Sequence, residues 1–158
     1  MFDFERVQFE HDGAYDTLTG ADSQNKFAQN LARSISARKR NGGALYIFTL
    51  KIKAPERELK SGTYAQTRQI LKYEEELIKA CSILHKNLRE NDFFTRMAVN
   101  GFYIVISGER SEEEQFTERF KRLFADRSLY ELHKFTLTGD LEMLQWLAEV
   151  DSVYFKDI

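Results

Sequence analysis

One cysteine and one proline stand among 158 residues. With Cys81 alone, an intrachain disulfide and a cysteine-built metal centre are both excluded. An apolar helix stripe around it makes it a core thiol rather than a nucleophile. Charge of one sign is equally scarce, since 23 basic side chains face 25 acidic ones for a net charge of -2. Duplex nucleic acid and anionic membrane surfaces call for a clear positive excess, so neither is an expected partner. No apolar run is long: Ala44–Leu50 falls far short of the ~20 residues that cross a bilayer. The opening Phe2-Asp3-Phe4-Glu5-Arg6 mixes signs where a secretory leader would be basic and then apolar, and a cytoplasmic setting is expected. Internal repeats, a P-loop, a GxGxxG turn and a Ser-His-Asp order are all missing. His11, His85 and His133 lie on a lead-in, a helix and a strand without metal-ligand spacing, so no metal and no cofactor is expected.

What is present reads as one domain over residues 15–158 behind a lead-in of residues 1–14. After the Thr19-Gly20 turn, Asp22 or Ser23 caps a helix with apolar Phe27, Leu31 and Ile35. Arg38-Lys39-Arg40 suits its C-terminal dipole, and Asn41-Gly42-Gly43 stops it. Ala44–Leu50 is a buried strand. A polar loop from Pro55 to Gly62 leads to a long helix with Ile70, Leu77, Cys81, Leu84 and Leu88 on one face. Phe94–Val99 and Phe102–Ile106 are strands around Asn100-Gly101, where a type I′ turn requires positive φ at both central positions. Ser111 with Glu114 forms a capping box for a helix carrying Phe116, Phe120 and Leu123. Leu132–Thr138 is the last strand, and Asp140 opens a helix through Leu144, Leu147 and Val150. Glu74-Glu75-Glu76 and Glu112-Glu113-Glu114 read as solvated helix faces rather than paired catalytic acids.

Strand, helix, strand, strand, helix, strand from residue 44 to 138 is an α+β, ferredoxin-like βαββαβ order with an extra helix at each end. Its strand order sets the first and third strands antiparallel at the centre. Thr49 to Lys53 should therefore lie beside the Asn100-Gly101 turn.

Several segments resemble the diguanylate cyclase (GGDEF) domain. Tyr15-Asp-Thr-Leu-Thr-Gly20 is similar to the family's opening DxLTG turn. Arg89-Glu-Asn-Asp92 and Ala98-Val-Asn-Gly-Phe102 match the spacing of an RxxD element ahead of the GGDEF hairpin. Val150-Asp151-Ser-Val153 with Phe155 and Lys156 resembles its closing helix. The likeness implies a bacterial signalling domain of nucleotidyl-cyclase fold, spanning roughly residues 11–156, with a longer stretch than usual between Thr49 and Arg89. It also implies where catalysis would sit. Relatives hold magnesium with carboxylates at the first strand's end and in the hairpin. Here the corresponding positions are Thr49, Lys51, Ala98, Val99, Asn100 and Gly101, and none is acidic. Glu74 falls near a further acidic position of the family. A degenerate, catalytically inactive domain is expected, with no catalytic residue.

The RxxD element implies a binding site for cyclic di-GMP at Arg89 and Asp92. An arginine fork can donate to guanine O6 and N7, while a carboxylate accepts from N1 and N2. Arg119 falls near a further arginine of that site, with Arg122 as the alternative. Read without the resemblance, Arg89 is a helix-end cation and Asp92 a turn residue. The expected function is cyclic di-GMP binding relayed to an effector or regulatory protein, by dimerising or by docking it. The alternative is a nucleotide-independent interaction scaffold. With 13 Phe, 7 Tyr and 1 Trp, aromatics exceed an evident core, and Phe93, Phe94, Tyr103, Tyr154 and Phe155 are candidates for an exposed contact patch.

Overall fold

A computed structural model describes residues 2–55 and 62–156; most of the Pro55–Gly62 loop lies outside the described residues. β1 (Ala44–Ile52) is apolar on both faces and almost wholly buried, as a strand covered on two sides must be. Alternation along it divides the core. Tyr46, Phe48, Leu50 and Ile52 join one cluster with the helices α2 (Thr63–Asn87) and α3 (Glu113–Leu123). Leu45 and Ile47 join the other with α1 (Gln24–Asn41) and α4 (Met143–Tyr154). With β2 (Phe93–Ala98), β3 (Gly101–Gly108) and β4 (Tyr130–Thr136), the order across the sheet is β2-β3-β1-β4. All three pairings are antiparallel. This is the expected ferredoxin-like arrangement, and Lys51 pairs with Gly101 as the topology requires.

Ser23, rather than Asp22, caps α1 by accepting from the Lys26 amide at 3.3 Å. Asp22 instead pairs with the Lys26 ammonium at 3.2 Å. Gly42 and Gly43 both take positive φ and end the helix. The lead-in is part of the packed structure. Val7 is buried, and the Phe2 and Phe4 rings lie against Tyr73 on α2.

Four expectations need correction. The β2–β3 turn is centred on Val99-Asn100, and neither Asn100 nor Gly101 has positive φ, so the turn is not type I′. A register shift between Arg96 and Ala98 loosens the ladder there. Gly101 is a strand residue kept small for a different reason. A Cβ on it would come within 2.3 Å of both the Leu50 carbonyl and the Tyr154 hydroxyl. The capping box lies at Glu109 and Glu112, not at Ser111 and Glu114. A 3-10 turn over Arg110–Glu112 precedes α3 and moves the first free amides upstream. α4 begins at Met143, with Glu142 and Gln145 as its capping box. Trp146, Val150 and Tyr154 face inward while Leu144 is 74% exposed. Its inner face follows the tryptophan, the largest side chain available. Finally, Phe94, Tyr103 and Tyr154 are buried and cannot form an exposed aromatic patch.

Candidate functional site

Arg89 and Asp92 follow the end of α2, which stops at Asn87 with Leu88 as its cap. The Asp92 carboxylate turns back on the chain. One oxygen, Oδ2, accepts from the Arg89 amide at 2.9 Å and from Arg89 Nε at 3.3 Å. The other, Oδ1, is buried and has no hydrogen-bond partner among the described residues, on a side chain only 4% exposed. An unmatched buried acceptor is costly unless something supplies a donor. The Arg89 guanidinium, 43% exposed, also donates to the Ser107 carbonyl and lies 3.8 Å from Glu112. Its Cζ lies over the Phe116 ring, 4.6 Å from the centroid. A cleft of about 180 Å³, with Asp22, His85 and Phe94 among its walls, opens beside Arg89 and Asp92.

Phe116 also lines an open groove of about 640 Å³ along α3, shared with Arg119 and Arg122. Arg119 donates to the carbonyl of Asn87, two residues before Arg89. The structure thus brings Arg89 and Asp92 into direct contact. Arg119, on α3, reaches the end of α2 with its guanidinium already engaged there.

At the opposite end of the sheet, Lys51, Asn100 and Gly101, the positions where the resemblance led catalysis to be expected, lie in another network. Thr49 is buried. Lys51 Nζ donates to the Tyr154 carbonyl at 2.7 Å and lies 4.6 Å above the Tyr154 ring. A cation there also suits the C-terminal dipole of α4. The Tyr154 hydroxyl donates to Asn100 Oδ1 at 2.5 Å, and Tyr103 donates to Asp151 at 2.6 Å. Burial raises the pKa of Tyr103 and of Tyr154 far above the ordinary phenol value. Lys53, on the same face as Lys51, donates instead to the Arg127 carbonyl at 2.6 Å. The two ammoniums therefore engage different carbonyls and do not form a joint anion cradle. Ala98 is buried, and the Val99 carbonyl accepts from Arg96 at 2.8 Å. Magnesium needs a set of oxygen ligands, preferably anionic. A lysine, an amide already accepting a hydrogen bond and a glycine do not fit it. Glu74, the remaining acidic candidate, accepts from the Gln8 amide at 2.8 Å and belongs to the lead-in contact.

Sequence reasoning passed over Arg96. It stands in the middle of β2 with its side chain 0% exposed, paired with Asp16 of the opening turn at 3.2 Å. It also donates to the Gln8 carbonyl at 2.6 Å. The Phe9 ring lies 4.7 Å from its guanidinium. Burial pulls the guanidinium below its ordinary value, and the Asp16 charge opposes that pull. The signal was a lone arginine inside an otherwise strand-like run. Cys81 fixes the same turn from below: its thiol donates to the Thr19 carbonyl at 3.2 Å, and burial pushes it up to about 11.

This architecture is that of the GGDEF domains. A sensory box/GGDEF family protein from Caulobacter crescentus superposes with a TM-score of 0.69 at 17% identity, over 90% of this chain and 96% of that one. A microbial GGDEF domain described in its interaction with cyclic di-GMP superposes at 0.68 with 16% identity, over 90% and 88%. The GGDEF domain of DgcB from Caulobacter crescentus in complex with cyclic di-GMP gives 0.67 at 13%, over 94% and 89%. No protein-family model matches the sequence, and no curated protein matches it. Among the described residues, no helix is long and apolar enough to cross a membrane.

Proposed function

We propose that this chain is a cytoplasmic signalling domain that binds cyclic di-GMP at Arg89 and Asp92 and passes the binding event to an effector or regulatory protein. The observation that carries the reading is the Asp92 carboxylate. Its Oδ1 is a buried acceptor lacking a donor among the described residues, and the N1 and N2 hydrogens of guanine are donors of the matching kind. Arg89, half exposed on Phe116, is within reach to donate to the O6 and N7 edge of the same base. The 180 Å³ cleft suits one base rather than a whole dinucleotide. The remainder would lie outside it, where the α3 groove offers Arg119 and Arg122. Arg89 also holds the Ser107 carbonyl, so a ligand that moves Arg89 would act on the end of β3.

Cyclase activity is not part of the proposal. At the strand end, Lys51 brings positive charge where a divalent cation would need its opposite. The Tyr154 hydroxyl stands beside Gly101, where any side chain at position 101 would collide with it.

Isothermal calorimetry with cyclic di-GMP tests the reading. Binding by the wild type should weaken roughly 5- to 150-fold in Arg89→Ala, the equivalent of the ~1–3 kcal/mol of a good bidentate pair. One observation favours a second reading, a nucleotide-independent scaffold: Arg89 and Arg119 already satisfy backbone carbonyls. Absence of heat from the wild type would leave that reading in place. Incubation with GTP and magnesium should yield no dinucleotide, and steady turnover would overturn the assignment as inactive.

A further inference from the structure

The outer face of α2 carries an apolar stripe that the domain does not use. Tyr64, Leu71 and Ile78 are 82%, 56% and 44% exposed. Seven-residue spacing stacks them on one line of the helix, about 21 Å long at 1.5 Å per residue. Between them on the same line stand Arg68 and Glu75, which make no ion pair among the described residues. Lys72 and Lys79 run along one border. The opposite border is closed by the lead-in, where Arg6 donates to Thr67 at 2.8 Å and the Gln8 amide to Glu74.

The pattern is complementary to itself when reversed. In an antiparallel pair of α2 helices centred on Leu71, each Tyr64 meets Ile78 of the second copy, and the two Leu71 side chains meet at the axis. Arg68, three residues before the centre, then lies against Glu75 of the second copy, four residues after its centre, and the twofold repeats the contact. Parallel alignment would set Arg68 on Arg68 and Glu75 on Glu75. We propose that the Tyr64–Leu71–Ile78 face of α2 is the contact surface of a twofold antiparallel homodimer of this chain. It gives a surface to the dimerising form of signalling named above. Nucleotide plays no part in it, so it stands or falls separately from the ligand site. A single helix pair buries an area at the low end of specific interfaces, below roughly 1,200 Å², so the dimer is concentration-dependent.

Sedimentation of the full chain without nucleotide should show a monomer–dimer equilibrium. Leu71→Glu should weaken it by at least about tenfold, since it sets two like charges on the axis in place of two leucines. Arg68→Glu and Glu75→Arg should each weaken it, and the double variant should recover it. All three positions are on the solvent side, so far-UV circular dichroism should match the wild type. A wild type that stays monomeric at every concentration would overturn the proposal and assign the stripe to a different protein. A dimer indifferent to Leu71→Glu, or not restored by the double swap, would overturn it as well.

Discussion

Asp16→Asn is the sharpest test of how the opening turn is held on the sheet. The substitution keeps size and shape and removes only a charge. Arg96, its side chain 0% exposed against 6% for Asp16, then loses the carboxylate it is paired with while remaining buried. Breaking a buried pair from one side costs ~3–5 kcal/mol, because the remaining charge stays uncompensated. Arg96 keeps the Gln8 and Val99 carbonyls, which puts the expectation at the lower end, about 3 kcal/mol. With a urea slope of about 2 kcal/mol/M for a domain of this size, the unfolding midpoint should fall by about 1.5 M with the slope unchanged. Arg96→Met alone should also destabilise, by leaving Asp16 and two carbonyls short of donors. The double variant should cost less than the sum, since no unpaired charge remains. A midpoint for Asp16→Asn within about 0.3 M of the wild type would refute the assignment of this pair as the clamp.

Gly101→Ala should destabilise the domain by about 1–3 kcal/mol through overpacking. Adding Tyr154→Phe should recover only part of the loss in thermal melts, because the Leu50 carbonyl remains in the way; a neutral Gly101→Ala would be inconsistent with the geometry. Lys51→Asp should unseat α4 rather than create a metal site, lowering the melting temperature equally with and without magnesium; stabilisation by magnesium would contradict this. Stability should also fall as pH rises. The Cys81 thiol is raised from 9.0 to about 11 in the folded chain, so its contribution is complete below the unfolded value and is lost as pH climbs from about 9 to 11. Cys81→Ser should flatten that part of the urea-midpoint profile, and an unchanged slope would count against thiol burial as its cause.

The sheet could be read because its signals are local. The apolar run of β1, the glycine pair after α1 and the spacing of Ile70, Leu77, Cys81 and Leu84 each report on their own neighbourhood. Arg89 and Asp92 are three residues apart, so the sequence singled out both, while their contact with each other came only with the structure. Partners that come from afar were not legible. Nothing around Arg96 names Asp16, which is 80 residues upstream. Nothing near Arg89 names Ser107, whose carbonyl it reaches across 18 residues. Where local and distant demands compete, the distant one wins. Asn100-Gly101 carries the turn chemistry of a type I′ hairpin, yet the glycine is taken up by close packing against Leu50 and Tyr154, and the turn moves one residue back.

That displacement bears on the strand end as a whole. Lys51, Asn100 and Gly101 would each be a poor choice for holding a metal, but each suits the seat of a helix. The lysine caps the α4 carbonyl, the amide accepts the Tyr154 hydroxyl and the glycine leaves room for it. Tyr103 adds a fourth link through Asp151, one turn earlier on the same helix. A carboxylate at position 51 would repel the C-terminal carbonyls of α4, and a side chain at 101 would collide with Tyr154. The residues that make this end of the sheet unfit for a divalent cation are thus the ones that anchor the last helix. Exchanging any one of them toward a metal ligand would loosen α4 before a coordination sphere could form.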